Sequence, residues 1–112
     1  MNLEIKKNLA SNWFKTLQDV FCDDICKLEK NKFKFKSTTW KRSDKNDEGG
    51  GEYRILKNGK VFEKVGVNFS KVYGKFPKEF QKNIPGAQKN PRFWASGVSV
   101  VMHMKNPLIP AM

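Results

Sequence analysis

The chain has 112 residues, which suits one small domain and excludes a pair of domains of ordinary size. It carries 22 Lys and Arg against 11 Asp and Glu, and the resulting charge of +11 favours an anionic partner such as nucleic acid, a membrane surface or a polycarboxylate. Two cysteines are too few for a disulfide-stapled secreted domain, and the absence of a signal-like or membrane-spanning apolar run favours a cytoplasmic protein.

The first segment predicts one amphipathic helix over about residues 3–30. Its apolar residues recur every three or four positions and form one stripe, which we expect to pack against the core, with a membrane-surface helix as the alternative. The stripe comprises Ile5, Leu9, Trp13, Leu17, Val20, Phe21, Ile25 and Leu28. Cys22 and Cys26 lie four apart on this helix, and we expect both to be reduced thiols because neighbours on one helical face pair poorly.

A β region is predicted from about residue 32 to residue 104. The stretch KFKFKSTTW (32–40) alternates aromatic residues with lysine and hydroxyl residues, as a half-buried strand does. The same interleaving also describes a platform for single-stranded nucleic acid. The following stretch, 41–52, is charged and then glycine-rich, and it predicts a loop without the lysine and hydroxyl residue that a phosphate loop requires.

The stretch YRILKNGKVFEK (53–64) predicts a β-hairpin with Asn58 and Gly59 at the two positive-φ positions of a tight turn. GVNFSKVYG (66–74) continues as a strand. Residues 75–92, which contain three prolines, predict a surface excursion with one helical turn near Phe76–Phe80, and FWASGVSVVMHM (93–104) predicts the last strand. One helix followed by hairpin-rich β structure indicates an α+β fold, with the helix packed on one face of an antiparallel sheet.

The last strand carries the residues with the most chemical potential. Ser99, Val101 and the single histidine, His103, share one face if the strand is regular, while Val98, Val100 and Met102 share the other. From the residues alone, Ser99 is equally a solvent-facing serine, and His103 is more simply an isolated imidazole, since nothing nearby completes a metal site. No acid-base pair or nucleophile set is recognisable.

Several stretches together resemble oxygen-dependent coproporphyrinogen III oxidase. GGGEYRILKNGKVFEKVGVNFSKVYG (49–74) is similar to the family's glycine-rich loop, hairpin and G-V-N-F-S block. PGAQKNPRFWASG (85–97) fits the same frame, and FWASGVSVVMHMKNP (93–107) is similar to the family's F-x-A-x-G-V-S-L-V-x-H-P-x-N-P segment. The resemblance runs in order from about Trp40 to Pro110, with the helix in a compatible place.

The resemblance implies an oxidoreductase of haem (porphyrin) biosynthesis that converts coproporphyrinogen III to protoporphyrinogen IX by oxidative decarboxylation. The expected substrate is a tetracarboxylate porphyrinogen and the co-substrate is molecular oxygen, with no required cofactor. The implied fold is a large flat antiparallel sheet flanked by helices, in a homodimer. By position, Ser99 matches a substrate-binding serine and His103 matches a histidine assigned as a divalent-metal ligand in bacterial members. Met104 stands where the family commonly has proline.

The resemblance also implies that residues 1–112 form a single incomplete domain, the N-terminal portion of the family's protein. The chain stops at Met112, before segments that in the family carry another histidine and an Asn-x-Arg substrate clamp. We therefore expect it to be inactive alone, and we assign no catalytic residue within it. The alternative is a non-catalytic basic module that binds a separate C-terminal chain or single-stranded nucleic acid. Nucleic acid is the less favoured partner, since only Arg42, Arg54 and Arg92 carry a guanidinium.

Overall fold

The protein is a four-stranded antiparallel meander with one long helix on one side, seen in a computed structural model that describes residues 2–112. The strands lie side by side in chain order, so each pairs with the next. The predicted α+β fold is confirmed. The elements are α1 (Leu3–Leu28), β1 (Lys36–Lys41), β2 (Gly49–Lys57), β3 (Phe62–Lys75), α2 (Lys78–Gln81) and β4 (Arg92–Met104).

Local signals fix both ends of α1. The Asn2 side chain accepts a hydrogen bond from the Ile5 backbone N–H at 2.8 Å, which caps the first turn. The helix stops after Leu28, and Lys30 and Asn31 both take φ of 57°, the left-handed conformation that turns a chain out of a helix. The predicted span of about 3–30 is therefore confirmed to within two residues.

The face that α1 turns to the sheet differs from the predicted one. The buried positions are Ser11, Gln18, Cys22 and Ile25. Of the predicted stripe, only Ile25 is buried, and its outward residues are exposed: Ile5 47%, Leu9 56%, Trp13 58% and Val20 46%. Beneath the middle of the helix, the sheet presents backbone carbonyls that need hydrogen-bond donors. Gln18 donates hydrogen bonds to two of them, those of Glu52 (2.9 Å) and Val67 (3.1 Å). The expectation that the whole stripe packs on the core was wrong.

The apolar core lies between the C-terminal half of α1 and the middle of the sheet. Its fully buried centre is Leu56, Val65 and Val67, which are contributed by β2 and β3. Val98, Val100 and Met102 of β4 pack against this cluster from the next strand. Phe33 and Phe35 also pack there, but they precede β1, which begins at Lys36 and not at Lys32 as the alternation predicted.

The three glycines predicted to lie in a loop instead open β2 as strand residues. Gly51 pairs with Ser70 of β3 on one side and Trp40 of β1 on the other. A Cβ at Gly51 would collide with the Phe69 carbonyl oxygen and the Trp40 ring, so glycine is required for the close approach of neighbouring strands.

The hairpin predicted at Asn58–Gly59 is present, with one change in its turn. Asn58 takes φ of 58° as predicted, but Gly59 is not left-handed, and the connection continues to Val61 before β3 begins. Gly59 serves a different purpose, because a Cβ there would collide with the carboxylate of the buried residue Glu29. That carboxylate accepts a hydrogen bond from the Val61 N–H at 2.8 Å and so ties the end of α1 to the hairpin.

Strand β4 forms one edge of the sheet. On its outer side, Met102 and Met112 exchange two backbone hydrogen bonds, of 2.6 and 2.8 Å, so the C-terminal residue occupies the position of a further antiparallel strand. Because outward-pointing and inward-pointing amides alternate along a strand, the N–H groups of Val98 and Val100 also point outward, and within residues 2–112 they have no strand partner.

This edge gives a first testable prediction. In hydrogen exchange followed by NMR, we expect the amides of Val98 and Val100 to exchange at least about tenfold faster than those of Ser99 and Val101, which bond to β3. Val65 and Val67 in the adjacent central strand provide the fully protected reference. Equal protection of all four β4 amides would contradict an open edge.

Candidate functional site

One face of the sheet lies opposite α1, and we call it the open face. It carries Ser99, Val101 and His103 from β4, all exposed, whereas Val98, Val100 and Met102 turn towards the core. The predicted division of the last strand between its two faces is therefore confirmed. Across the register, Ser99 lies opposite Asn68, Val101 opposite Gly66 and His103 opposite Lys64.

The centre of the open face is a shallow groove of about 440 Å³ with a bare floor. A Cβ built on Gly66 meets no atom within 4 Å, and the same holds for Gly97, so nothing stands above the backbone at these positions. Trp40 and Tyr53 from β1 and β2 line the groove beside Gly66. Open space above Gly66 next to two aromatic rings suits a planar ligand.

One end of the open face is cationic. Lys64 of β3 lies opposite Lys57 of β2 on one side and opposite His103 of β4 on the other. Lys36 of β1 lies opposite Ile55, two residues along β2 from Lys57. Among the strand positions on this face that the structure describes, none is Asp or Glu. Within residues 2–112 these three lysines make no ion pair. The end of the groove can therefore receive carboxylates.

The opposite face holds a polar network that joins α1 to the sheet. The Glu52 carboxylate accepts hydrogen bonds from Arg54 Nε at 3.0 Å, from Lys15 and from Ser37. These donors, with Arg54 first, lower the pKa of Glu52 from 4.5 to about 2. Arg54 also contacts Asp19 Oδ1 at 2.9 Å, so its guanidinium is fully engaged away from the open face, and its pKa is raised.

Both cysteines are free thiols, as predicted. Burial raises the pKa of Cys22, although the Arg54 guanidinium partly opposes that effect. Burial also raises the pKa of Cys26, with the carboxylates of Asp23 and Glu29 adding to it. Both thiols are therefore protonated at neutral pH and poorly reactive.

The residues present do not form a metal site by themselves. Within residues 2–112, no group of three or more His, Cys, Asp and Glu side chains is placed to hold an ion. His103 contributes one imidazole with Lys64 beside it across the strands, and a neighbouring cation disfavours a metal. The metal-ligand role of His103 stays a prediction, and no chemical step is assigned to it.

Sequence reasoning identified Ser99 and His103 but missed Trp40, Tyr53 and Lys64 as their neighbours. Trp40 was interpreted as continuing the face of Phe33 and Phe35, yet it lies on the opposite side of the sheet. Trp40 is five residues after Phe35. Because strand side chains alternate with period two, an odd spacing indicates that the two side chains lie on opposite faces. Lys64 could be placed opposite His103 only once the β3–β4 register was known.

Fold and site together define a class: an α+β protein whose sheet is covered by a helix on one side and presents, on the other, a bare basic face suited to a flat anionic ligand. The family model of coproporphyrinogen III oxidase matches residues 9–112. The chain belongs to the coproporphyrinogen III oxidase family, which confirms the resemblance found in its motifs.

Curated relatives agree with this assignment. An oxygen-dependent coproporphyrinogen-III oxidase of Rickettsia felis is 46% identical over 114 residues, which covers 95% of this chain and 39% of the relative. The proteins of the same name from Rickettsia africae and Rickettsia prowazekii are 44% and 45% identical, over 100% of this chain and 41% of theirs. The chain thus spans about two fifths of the length of these relatives, consistent with an N-terminal portion.

Within residues 2–112, neither helix combines the length and the apolar character needed to cross a lipid bilayer.

Proposed function

We propose that this chain takes part in the oxygen-dependent oxidation of coproporphyrinogen III and that its open face forms one wall of the porphyrinogen site. The observation that carries the proposal is the groove that is bare at Gly66, is lined by Trp40 and Tyr53, and has a cationic row of Lys57 and Lys64 beside His103 at one end. A tetrapyrrole is broad and carries carboxylates at its rim. The broad ring matches the floor of the groove, and the carboxylates match the cationic row.

The residues of the open face divide into two roles. Ser99 and Asn68 lie side by side on adjacent strands and offer a hydroxyl and a carboxamide to polar atoms near the centre of the ligand. Lys64 and His103 lie at the cationic end and hold a propionate at the rim. This assigns substrate binding to Ser99, in agreement with its family position.

The proposed reaction is oxidative decarboxylation of two propionates to vinyl groups. For each propionate, the carbon attached to the pyrrole ring loses a hydride and the carboxylate leaves the next carbon as carbon dioxide, while one molecule of oxygen takes up the hydride and one proton from solvent and becomes hydrogen peroxide. The contribution of the open face is to position the propionate and to shield one side of the macrocycle from water. No strand position on this face carries an arginine, so the lysines hold the carboxylate as point charges and not bidentately.

The same proposal includes partners and location. A complementary strand added to the outer edge of β4 is supported by the outward amides of that strand and by the Met102–Met112 pair. A cytoplasmic location is supported by the two free thiols. A homodimer is proposed from the family resemblance.

Binding of coproporphyrin III, the stable oxidised form of the substrate, tests the proposal. We expect tryptophan fluorescence of the 112-residue chain to be quenched saturably, because Trp40 lines the groove. Lys64→Glu should raise Kd at least about tenfold, since it reverses the charge at the cationic end. The tetramethyl ester, which lacks the carboxylates, should bind more weakly than the free acid.

The matched control is Lys82→Glu, which changes the net charge equally at an exposed position outside the sheet. It should leave Kd within about twofold, and an excess of single-stranded oligonucleotide should not displace the porphyrin. Equal losses for both variants would indicate general electrostatic attraction. Absence of saturable binding would refute the assigned site.

A further inference from the structure

A second cleft lies between the amino-terminal part of α1 and the end of the sheet that is farthest from the β2–β3 hairpin. We call it the end cleft. Its walls come from residues between Leu3 and Ala10 of α1 and from the paired ends of β3 and β4, and its volume is about 920 Å³. Sites for small organic ligands have volumes of about 300–1,000 Å³. The end cleft is therefore large enough for such a ligand, and it lies on the α1 side of the sheet.

The side chains on this side of the sheet change from apolar to basic as the strands reach the end cleft. In β3, alternation places Lys71 and Lys75 on the same face as the buried residue Val67. In β4 it places Arg92 on the same face as Val98, which packs against the core. Strand positions beneath a helix are usually apolar, so these three cations do not serve packing. They indicate that the end cleft receives something negatively charged.

Few acidic groups balance the cations of the end cleft. With Lys6 and Lys7 from α1, five cationic side chains line it, and the single carboxylate among its lining residues in the described part of the chain is Glu4. Glu4 Oε1 lies 3.3 Å from Lys7 Nζ. The other four cations make no ion pair within residues 2–112. An anion with several charges would relieve their mutual repulsion.

Arg92 has an available guanidinium edge. Its Nε donates a hydrogen bond to Asn90 Oδ1 at 3.3 Å, and its two Nη atoms have no hydrogen-bond partner among residues 2–112. The other two arginines are already engaged, since Arg54 binds carboxylates of the Glu52 network and Arg42 donates to the Tyr73 carbonyl at 3.0 Å. A guanidinium edge binds two oxygens of a phosphate or a carboxylate at once.

An aromatic pair lies beside these cations. Tyr73 and Trp94 lie opposite each other across β3 and β4, and Lys75 and Arg92 form the next pair on the same face. Both aromatic side chains line the end cleft and are half-buried. Positions two apart on a strand are separated by about 7 Å. The floor of the cleft therefore places a surface for stacking one step away from a surface for anions.

We propose that the end cleft binds a nucleoside polyphosphate. The base lies against Tyr73 and Trp94, because aromatic side chains stack with any base. The phosphates lie on Arg92 and Lys75, with Lys7 reaching them from α1. A ribose separates base and phosphates in such a ligand, as one step of the strand separates the two pairs. Phosphate is favoured over carboxylate because a polyphosphate concentrates several charges within the reach of cations that have no other partner.

Calorimetric titration of the 112-residue chain with ATP, in magnesium-free buffer of low ionic strength, tests the proposal. We expect saturable binding at one site, with Arg92→Glu raising Kd at least about tenfold. Arg92→Lys keeps the charge but loses the two-pronged contact, so its Kd should rise several-fold. Lys82→Glu is the matched control, because Lys82 is exposed and lies outside the cleft, and its Kd should change less than about twofold. Circular dichroism verifies the fold of each variant.

The two halves of the ligand are tested separately. Adenosine and inorganic tripolyphosphate should each bind at least about tenfold more weakly than ATP. Absence of saturable ATP binding, or equal losses for Arg92→Glu and Lys82→Glu, would overturn the proposal. Tripolyphosphate that binds as tightly as ATP would overturn the assignment to a nucleotide. A single-stranded oligonucleotide that displaces ATP at lower concentration would reassign the cleft to nucleic acid.

The end cleft and the porphyrinogen site are separable in the same assay, since the open face lies on the other side of the sheet. Lys64→Glu should leave the Kd for ATP within about twofold, and ATP should not displace coproporphyrin III. Displacement would place both ligands at one site and overturn a separate nucleotide site. Because ATP is titrated without porphyrin, failure of this proposal is distinguishable from failure of the proposed function.

Discussion

Replacing Gly66 by leucine is expected to weaken porphyrin binding strongly while leaving the fold intact. A side chain at this position projects into the centre of the open face between Ile55 and Val101, where a Cβ meets no protein atom within 4 Å. The backbone φ of Gly66 is not positive, and leucine suits a strand better than glycine, so thermal stability should be unchanged or slightly raised. The leucine side chain would occupy the space that we propose for the planar ligand. We expect Kd for coproporphyrin III to rise at least about tenfold, or 1.4 kcal/mol.

Gly66→Ala provides the graded control. One methyl group raises the floor less than leucine does, so the loss of affinity should be smaller, with the same melting temperature. Fluorescence quenching titrations and thermal melts on the same samples separate binding from folding. A leucine variant that is stably folded and binds with unchanged Kd would contradict the placement of the ligand on this face.

Replacing Glu52 by glutamine is expected to cost about 2 kcal/mol of unfolding free energy at neutral pH. The substitution keeps the shape of the side chain but removes the negative charge of the carboxylate, which accepts hydrogen bonds from Arg54, Lys15 and Ser37. Arg54 would keep its contacts with Asp19 and Cys22 but would lose its charged acceptor on β2, and the tie between α1 and β2 would weaken. Glu52 is only 17% exposed, so water compensates little for the lost bonds.

The unfolding free energy lost in Glu52→Gln should depend on pH, and this dependence tests the role of the carboxylate directly. The folded-state pKa of Glu52 is lowered from 4.5 to about 2, so its contribution to stability is complete above pH 4.5 and disappears as the pH falls through about 2. The difference between wild type and Glu52→Gln in urea denaturation should therefore be largest near neutral pH and shrink steadily between those two values. Glu63→Gln, at an exposed position outside the network, should change stability by less than about 0.5 kcal/mol at either extreme. An equal difference for Glu52→Gln at both extremes would contradict the assigned role.

Local sequence signals were sufficient for most elements of this fold but not for the face that α1 turns to the sheet. Period and turn chemistry located α1, the Asn58 hairpin and β4 because each depends on neighbours in the chain. The inward side of α1 was predicted wrongly because the strongest apolar period is not the buried one. Gln18 faces the sheet instead, where its side-chain amide donates hydrogen bonds to the backbone carbonyls of Glu52 and Val67.

The candidate site was predictable only within one strand. Alternation along β4 placed Ser99 and His103 on one face, since period two requires no tertiary information. Their neighbours Asn68 and Lys64 come from β3, and a register error of one residue would have put both on the other side of the sheet. The burial of Val65 and Val67 turns Lys64 and Asn68 to the other face, but which residue of β3 lies opposite His103 is not encoded in either strand alone.

The chain-order meander has a kinetic consequence. Every strand pairs only with its immediate neighbour, and the first connections, between Lys41 and Gly49 and between Lys57 and Phe62, are short. Pairings of this kind require little loop closure, so the sheet can assemble strand by strand as the polypeptide leaves the ribosome. In the longer relatives, a unit built in this way would be in place to act as the template on which later segments fold.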